Sequence, residues 1–548
     1  MLAATAVISP LFFLGTPSGH DIQFHLSSWM EAARQWRHGI IFPRWSEWAN
    51  WGYGEPRFIF YPPLSWMLGG FFGSLLPWKL TAGVMIWFTL IVAGVSMWTF
   101  ASEWLPGPAA IAAAVFFAVD PYHLVTLYYR SDFAELLAAA LFPLIFWAAI
   151  HLARGEKRYA PALAFAFAAV WLCNAPAGVM ASYTVVLILL VASAVERKPS
   201  ALFWGAVALI AAFALTAFYL FPAAYEQRWV QIAGALTPSL QPSHNFLFAH
   251  NNELGFVQFN TRVSRVALSM IAATCVAGAL FARRFRSVRV LWWTLIATAV
   301  VSIFVMLPTS LFLWRLLPKL WFVQFPWRWL DVLAVPLALF IGGAAASFRK
   351  GWAFWAVIFV AAACIVTVAT LIIQDAWWDD QDASYIAREI QVGHGFDGMD
   401  EYAPLGSVHW DLPGAPQTDD KDAPIPPETP RVEEEDPDSG DVVPAKDATV
   451  TYQQWSPERK RFTVTTNLDD LFIDVRLLNY PAWVVRIDGK QVQPGYEPDT
   501  GQMLFELTKG KYQFDIRFRR TWDRTLGGVI SLLALIGTFF WVRFIRSP

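Results

Sequence analysis

The stretch SGHDIQFHLSSW (18–29) sets one carboxylate and two imidazoles beside an apolar N-terminal segment. Asp21 and His25 are four residues apart, so on a helix they would share one face, with His20 next to Asp21. Ionisable groups at membrane depth are costly and are usually functional or paired. Taken alone, the stretch favours a solvated loop with interfacial histidines, and a functional site at the membrane boundary is the alternative.

A second polar stretch, YYRSDFAELLA (128–138), contains Arg130, Asp132 and Glu135 at the start of an apolar run. Asp132 and Glu135 are three residues apart and can lie on one helical face. Helix capping is the structural alternative, with Ser131 or Asp132 as N-cap and Glu135 near the positive end of the helix dipole. Capping leaves Arg130 and the two neighbouring tyrosines unexplained.

Two further stretches hold cations beside aromatic residues. In WFVQFPWRWLD (321–331), Arg328 fits either an aromatic belt with a snorkelling arginine or a bidentate phosphate clamp. The stretch HNFLFAHNNELGFVQFNTRVSR (244–265) is long enough for a binding loop or lid, and His250 and Arg262 are its candidate ligand contacts. Ordinary solvated polarity is the alternative for most residues of that loop.

Other common chemistries have no motif in this chain. GxSxG, a Walker loop, GxGxxG after a strand, HExxH and paired CxxC are all missing from the sequence. His20 and His25 are five residues apart, which matches no zinc spacing, so no metal site is predicted. The three cysteines lie in apolar stretches, and no concentrated basic face indicates nucleic-acid binding.

The composition is that of an integral membrane protein with a minor soluble part. Hydrophobic residues make up 56% of the chain and charged residues 15%, against roughly 25% charged in soluble domains. Runs near the 17–25 residues of a membrane helix predict about 12 spans. The strong candidates are 80–102, 133–153, 201–223, 264–282, 288–306, 329–347, 351–374 and 526–545, and the weaker ones are 1–15, 108–122, 160–175 and 178–195. The Pro-broken pieces 58–77 and 309–322 are expected to be interfacial or re-entrant.

Lys- and Arg-rich clusters orient these spans. Cytoplasmic loops are enriched in Lys and Arg. If the spans from 133 onward alternate in direction, all five clusters lie on the cytoplasmic side: RGEKR, ERK, RRFRSVR, RK and RFIR. The outer segments are then 16–57, 123–132, 224–263, 307–328 and 375–525. We therefore expect Asp21 and the 123–132 segment on one outer face, with both termini inside.

The longest outer segment divides by composition. Residues 375–447 are polar, and the acidic, Pro-rich 418–441 is expected to be a flexible linker because it cannot bury a core. Residues 448–522 alternate in short runs separated by Asn, Gly and Pro, which predicts a small β-sandwich-like domain. That domain leads into the final membrane helix, 526–545.

Six stretches in order resemble one bacterial family. They are GHDIQFHLSSWMEAARQWRHGIIFPRW, FYPPLSWMLGG, YYRSDFAELLA, VQFPWRWL, FDGMDEYAPL and NYPAWVVRIDGKQV. The family comprises integral membrane proteins with a "6-pyruvoyl-tetrahydropterin synthase-related" region, although nothing in the chain resembles a soluble pterin enzyme. It is similar to the GT-C superfamily of polytopic glycosyltransferases, and the resemblance covers nearly the whole chain.

The resemblance implies a GT-C-like membrane domain over 1–374 in the bacterial inner membrane. Such an enzyme moves a sugar, with inversion, from a polyprenyl-phosphate carrier to an extracytoplasmic glycan, lipid or protein acceptor. Asp21 is then the expected general base, and Asp132 or Glu135 the second acidic group. The expected substrate or phosphate contacts are His20, His25, Arg130, Arg328, Arg262 and His250. Some relatives use Mg²⁺ or Mn²⁺ at acidic pairs, but the single Asp in GHDIQ and the missing DxD argue against a metal here.

Two other functions compete with this one. A transporter or flippase of lipid-linked saccharides should show repeated halves and broken helices at mid-membrane, and the sequence has no internal repeat. A non-catalytic scaffold would use the β-domain to bind carbohydrate or a partner. The joint presence of Asp21, Arg130, Glu135 and Arg328 argues against a vestigial site.

Overall fold

The computed structural model describes residues 1–249, 253–285, 288–348, 351–379, 381–408, 412, 431–435, 442–498 and 500–546. The α-helices are α1 (Leu2–Ile8), α2 (Leu11–Leu14), α3 (Ile22–Arg37), α4 (Arg57–Phe60), α5 (Pro63–Leu75), α6 (Trp78–Ala101), α7 (Gly107–Ala118), α8 (Pro121–Val125), α9 (Phe133–Ala139), α10 (Phe142–Ala153), α11 (Ala160–Cys173), α12 (Ala175–Glu196), α13 (Ser200–Leu215), α14 (Ala217–Glu226), α15 (Leu254–Phe285), α16 (Arg289–Val305), α17 (Leu311–Leu316), α18 (Leu330–Ala346), α19 (Gly351–Asp375), α20 (Asp382–Val392) and α21 (Trp522–Arg546). A π-helical turn spans Thr126–Arg130. Short 3₁₀ turns are Lys157–Tyr159, Gln227–Trp229, Ile232–Leu236, Pro238–Leu240, Pro242–His244, Pro308–Ser310, Leu320–Val323, Pro326–Trp329 and Asp400–Tyr402.

The apolar runs form a membrane-type helical domain, which confirms the predicted fold class. Eight helical stretches of the described residues are long and apolar enough to cross a membrane, and two sharply bent pairs raise the number to ten at most. The predicted number was about 12. The difference lies in the weak candidates: Leu2–Leu14 is short, and α11 has 14 residues, fewer than the roughly 17 of a span.

Some predicted outer loops are partly helical. Helix α3 lies within 16–57, and the stretch Gly107–Arg130 runs through most of 123–132 as one helical span. Pro121 does not end this span, because it is the first residue of α8, where its missing N–H costs no intrahelical hydrogen bond. The Asp120 side chain accepts a hydrogen bond from the Tyr122 N–H at 2.9 Å and is the N-cap of α8. Segment 58–77 forms only α4 and the 13-residue α5, in line with the interfacial prediction.

The C-terminal region contains two five-stranded antiparallel sheets. The strands are β1 (Thr16–Pro17), β2 (Trp378–Asp379), β3 (Val432–Glu435), β4 (Val442–Pro444), β5 (Ala448–Ser456), β6 (Arg459–Thr466), β7 (Leu471–Leu478), β8 (Trp483–Ile487), β9 (Lys490–Val492), β10 (Gly495–Tyr496), β11 (Gln502–Leu507) and β12 (Gly510–Phe518). The sheet orders are β10-β11-β7-β3-β4 and β5-β6-β12-β8-β9. Alternating apolar residues of both sheets form one core, in which Phe462 stacks on Phe514 at 4.7 Å.

The polar segment before this domain is more ordered than its composition predicted. Helix α20 forms within it, and β3 and β4 extend the first sheet beyond the predicted start at 448. Glu433 and Glu434 are buried in β3 despite their charge. Glu434 accepts backbone N–H groups of Lys446 and Asp447 at 2.8 and 3.1 Å, and these bonds offset the cost of burial. Of the predicted linker 418–441, residues 418–430 and 436–441 lie outside the described residues.

The β-domain packs on residues 45–60 of the membrane domain. Trp45 contacts Tyr480 and Trp483 with ring centroids 5.8 and 5.3 Å apart. The buried Arg476 donates to three backbone carbonyls outside the domain, those of Trp51, Gly393 and His394. β1 pairs with β2 across more than 350 residues of sequence, so the segment before Asp21 is attached to the segment after α19.

Candidate active site

Backbone contacts bring the first two polar stretches together. The hydroxyl of Ser131 donates to the Pro17 carbonyl at 2.7 Å and accepts the Gly19 N–H at 3.0 Å. The Asp21 N–H donates to the Arg130 carbonyl at 2.8 Å. Ser131 can make both bonds because it follows the π-helical turn in a left-handed conformation, with φ of 55°. These contacts place Asp21 directly beside the 123–132 segment.

Two guanidinium groups share two carboxylates at this junction. Arg130 Nη1 lies 2.6 Å from Glu135 Oε2, and Arg130 Nη2 lies 2.8 Å from Asp132 Oδ2. Arg328 contacts the same two oxygens: its Nε lies 2.7 Å from Glu135 Oε2, and its Nη2 lies 3.6 Å from Asp132 Oδ2. Asp21 Oδ2 stands 3.5 Å from Arg130 Nη2. Arg130, Asp132 and Glu135 of the second stretch thus form one cluster with Asp21 of the first stretch and Arg328 of a distant segment, and we call it the Arg130–Arg328 cluster.

The remaining hydrogen bonds fix this cluster in place. Tyr122 donates its hydroxyl to Glu135 Oε1 at 2.6 Å, and Arg328 Nη1 donates to the Val323 carbonyl at 2.9 Å. Asp132 Oδ1 accepts the Glu135 N–H at 2.9 Å, so Asp132 is also the N-cap of α9. Capping and participation in the cluster, which were alternatives in the sequence, are both properties of Asp132.

A cavity of about 860 Å³ opens beside the cluster. Asp21, Arg130, Asp132 and Arg328 line its polar part. Glu135 is fully buried behind the two arginines and does not reach the wall. The rest of the lining is mainly apolar and includes Phe24, Phe60, Trp171, Val179, Leu220, Phe256, Phe259, Phe322, Phe325 and Trp327. A large apolar cavity with a few convergent polar groups is the usual form of a ligand site.

The two carboxylates on this wall differ in protonation. Removal from bulk water and the neighbouring Asp132 charge raise the pKa of Asp21, and Arg130 opposes this rise only in part. Burial acts on Asp132 in the same direction, but Arg130 and Arg328 hold the pKa of Asp132 well below its usual range. The Asp21 side chain is 39% exposed, whereas that of Asp132 is 7% exposed. Of these two carboxylates, Asp21 is the more accessible to a ligand in the cavity.

The other predicted contacts occupy different positions. His20 lines the cavity and packs edge-on against Phe259 at 5.1 Å. His25 is buried behind the wall, with Nε2 3.7 Å from Asp132 Oδ1. Arg262 lies outside the lining and points to Asp375, with Nη2 3.6 Å from its Oδ2. His250 lies outside the described residues.

Several lining residues escaped the sequence analysis. Lys319 is an exposed cation in a left-handed turn between α17 and Leu320. Tyr61 lies in the FYPPLSWMLGG stretch, and Glu401 and Tyr402 lie in FDGMDEYAPL. Both stretches belong to the family pattern, which was the only signal for these residues, because no spacing links them to Asp21.

The acidic groups are arranged poorly for a divalent cation. In the part of the chain that the structure describes, no group of three His, Cys, Asp or Glu side chains has a metal-binding arrangement. The inner carboxylates, Asp132 and Glu135, already share two guanidinium groups, which a cation would have to displace. No catalytic step below is therefore routed through a metal.

Comparisons with solved structures find distant likeness. The arabinofuranosyltransferase AftD from Mycobacteria is similar at 18% identity and a TM-score of 0.44, over 68% of this chain and 26% of that one. ArnT from Cupriavidus metallidurans bound to undecaprenyl phosphate is similar at 12% identity and a TM-score of 0.38. The match covers 67% of this chain and 62% of that one. The chain thus spans about a quarter of the length of AftD. Comparison with curated protein sequences finds no significant match.

A family model gives the clearer relationship. The model described as "6-pyruvoyl-tetrahydropterin synthase related domain; membrane protein" matches residues 58–379, which is more than half of the chain. The matched region includes Arg130, Asp132, Glu135 and Arg328, and Asp21 precedes it. The chain belongs to this family of 6-pyruvoyl-tetrahydropterin synthase related membrane proteins.

Proposed function

We propose that the protein is a GT-C-type glycosyltransferase of the bacterial inner membrane, which moves a sugar from a polyprenyl-phosphate carrier to an extracytoplasmic acceptor. One observation carries the proposal: a single cavity combines the accessible carboxylate of Asp21, the guanidinium groups of Arg130 and Arg328, and a large apolar wall. This reaction needs three features: a base, a cation that binds the phosphate, and an apolar surface for the lipid. The acceptor is a glycan, a lipid or a protein.

Asp21 has the position and the protonation behaviour of a general base. The acceptor hydroxyl loses its proton to Asp21 as its oxygen forms a bond to the anomeric carbon, while the bond from that carbon to the phosphate oxygen breaks. Direct displacement inverts the configuration. Asp132 and Glu135 are each engaged by two guanidinium groups, so they act as positioning residues that orient the arginines.

The leaving group is a phosphate whose negative charge grows as the bond breaks. A fixed cation stabilises that charge better than an acid that must give up a proton. Arg130 and Arg328 are held by several hydrogen bonds at the cavity wall, and Lys319 adds an exposed cation on the same cavity. We assign the phosphate to this side of the cavity. His20 is the histidine that can contact it, since His25 lies behind the wall.

The apolar lining supports a polyprenyl carrier. Val179, Leu220, Phe256 and Phe322 offer the methyl-rich chain a surface like that of the bilayer, with no polar group to desolvate. The lipid bilayer itself is the second partner, since the spans expose large apolar side chains such as Phe203 and Phe359.

The charge distribution supports an extracytoplasmic site. Arg130 and Glu135 lie at the start of the span Phe133–Ala153, and the basic RGEKR cluster (154–158) lies at its other end. Cytoplasmic ends of spans are enriched in Lys and Arg. The cavity and the region 375–525 are then on the outer side.

The decisive experiment compares the wild type with Asp21→Asn in purified protein supplied with labelled polyprenyl-phosphate sugars and acceptor candidates. We expect transfer to fall by about 10²- to 10⁴-fold, the usual contribution of a general base, while donor binding is kept. Asp375→Asn is the matched control, because this exposed carboxylate lies outside the cavity wall.

Two outcomes would overturn the proposal. Transfer at an unchanged rate in Asp21→Asn would remove Asp21 from the role of base. If the wild type never consumes a donor and instead moves lipid-linked saccharide across liposomes, the protein is a transporter.

A further inference from the structure

A segment of the polar region after α19 returns to the cavity and forms part of its wall. Residues 395–405, the stretch GFDGMDEYAPL, carry Met399, Glu401 and Tyr402 into the lining. Backbone hydrogen bonds join the segment to two loops of the membrane domain: Phe396 N–H to Trp48 O at 2.9 Å, Trp51 N–H to Phe396 O at 3.1 Å, Gln231 N–H to Ala403 O at 2.9 Å and Leu405 N–H to Trp229 O at 3.0 Å. The segment therefore has a defined position at the site.

Two glycines permit this close approach. A Cβ at Gly398 would lie 1.9 Å from Asn50 Oδ1, and one at Gly395 would lie 2.4 Å from the Trp48 carbonyl oxygen. Gly395 also has φ of +94°, which side-chain-bearing residues rarely adopt. The Met399 N–H donates to Glu55 Oε2 at 2.9 Å and completes the attachment. This local sequence thus places the two residues that follow, Glu401 and Tyr402, at the wall.

Glu401 differs from the other acidic groups at the site. Asp21, Asp132 and Glu135 all face a guanidinium group, whereas Glu401 forms no ion pair within the described ranges. Desolvation, with the nearby Glu55 and Asp400 charges, raises the pKa of Glu401 to about 7. Glu401 is only partly buried, so its carboxylate at the cavity wall is accessible to a ligand.

Aromatic rings flank this carboxylate. Tyr402 stacks on Phe60 with ring centroids 5.9 Å apart and planes 11° from parallel, and both line the cavity. Tyr61 also lines the cavity, and its ring packs edge-on against Phe24 with centroids 4.6 Å apart. A carboxylate beside aromatic faces matches a sugar ring, because vicinal hydroxyls donate to both carboxylate oxygens and the C–H face packs on an aromatic surface.

We propose that Glu401, with the Phe60–Tyr402 ring pair, forms a saccharide-binding subsite that the segment 395–405 adds to the cavity holding Asp21. The inference rests on the proposed glycosyl transfer, which it deepens by assigning the sugar contacts. The ligand is a sugar ring with adjacent free hydroxyls, and it belongs either to the donor or to the acceptor. Glu401 binds this ring and takes no part in proton transfer, which belongs to Asp21.

The test uses Glu401→Gln in the full-length protein, with Asp400→Asn as matched control. Asp400 precedes Glu401 in the same 3₁₀ turn, carries the same charge and does not line the cavity. We expect Glu401→Gln to weaken sugar binding by about 10- to 100-fold, the effect of losing a charged hydrogen-bond partner, at nearly unchanged kcat. Thermal unfolding of both variants checks that the fold is retained.

Three measurements separate the possible sources of the sugar. Binding of polyprenyl phosphate without sugar should not change in Glu401→Gln. Weaker binding of the sugar-bearing carrier assigns the subsite to the donor sugar, and a raised KM for the saccharide acceptor assigns it to the acceptor.

The inference is overturned if Glu401→Gln binds carrier and acceptor as the wild type does. Equal losses in Glu401→Gln and Asp400→Asn would also overturn it, since they would indicate only a displaced segment. If the wild type binds saccharide through Glu401 but transfers no sugar, the subsite stands and the proposed enzymatic function fails.

Discussion

Two carboxylates within one cluster have opposite environments. Asp132 lies between two guanidinium groups and caps a helix, so its charge is permanent. Among the described residues, Asp21 forms an ion pair with Arg130 alone, at 3.5 Å, and it faces the cavity. Pairs of acids whose pKa values are driven apart by their surroundings mark a division of roles, here an electrostatic group beside a proton acceptor.

This difference predicts the pH dependence of transfer. A base must be ionised to accept a proton, and Asp21 has a raised pKa in the folded protein. As the pH falls through that raised value, Asp21 becomes protonated and kcat/KM should decrease, at a pH above the roughly 3.9 of an ordinary aspartate. The acid limb should vanish in Asp21→Asn. If kcat/KM falls only below pH 4, or if the acid limb of its pH profile persists in Asp21→Asn, Asp21 is not the base.

At the scale of the elements, the site depends on how two chain segments meet. The π-helical turn and the left-handed Ser131 direct Arg130 and the Ser131 hydroxyl toward 17–21. Gly19 lies directly against this turn: a Cβ there would be 2.5 Å from the carbonyl carbon of Arg130 and 2.6 Å from the Tyr129 oxygen. Both neighbours are backbone atoms, which cannot move aside as a side chain can.

Gly19→Ala should therefore displace Asp21 without removing any catalytic group. We expect kcat to fall by about 100-fold, as for a roughly 1 Å error in the position of a catalytic group. The overpacking should also cost about 1–3 kcal/mol in the free energy of unfolding. Steady-state kinetics and thermal unfolding measure the two effects. Gly107→Ala is the control, because nothing lies within 4 Å of its added Cβ, and an equal loss there would refute the explanation.

The sequence predicted the parts of the site that local patterns encode. Charge alternation placed Asp21 and Arg130 on one face, and the guanidinium at Arg328 was recognisable from its aromatic surroundings. Glu135 was predicted as catalytic, but its position behind the arginines depends on packing between α9 and distant segments. Lys319 and Glu401 could not be predicted, since their contact with the cavity depends on where long connections return.

At the scale of the whole molecule, the β-domain and the membrane domain act as one unit. The Lys460 ammonium pairs with Glu47 at 2.6 Å, and Glu226 pairs with Arg524 at the start of the last helix. Arg476 joins the domain to the loop at Trp51 and to the segment that leads to Glu401. Such buried polar contacts fix an orientation more than they add stability.

Arg476→Ala should therefore loosen the join between the domains. It leaves buried carbonyls without their donor, at about 1–3 kcal/mol for each unsatisfied group. We expect lower thermal stability, faster proteolysis near 393–408 and a raised KM for the sugar ligand. Arg486→Ala, at an exposed position of β8, should change stability by no more than about 0.5 kcal/mol. Unchanged proteolysis in Arg476→Ala would show that this residue does not hold the join.

The pairing of β1 with β2 also determines when the site can exist during synthesis. Ser18 donates its N–H to the Trp377 carbonyl, so the strand before Asp21 lacks its β-strand partner until residues near 378 have been synthesised. At about 5–20 residues per second, the ribosome needs on the order of 20–80 s between Asp21 and Glu401. The nascent protein thus carries Asp21, the proposed general base, for most of its translation in an incomplete cavity. The cavity that the proposed function needs is complete only once the segment 395–405 has joined its wall.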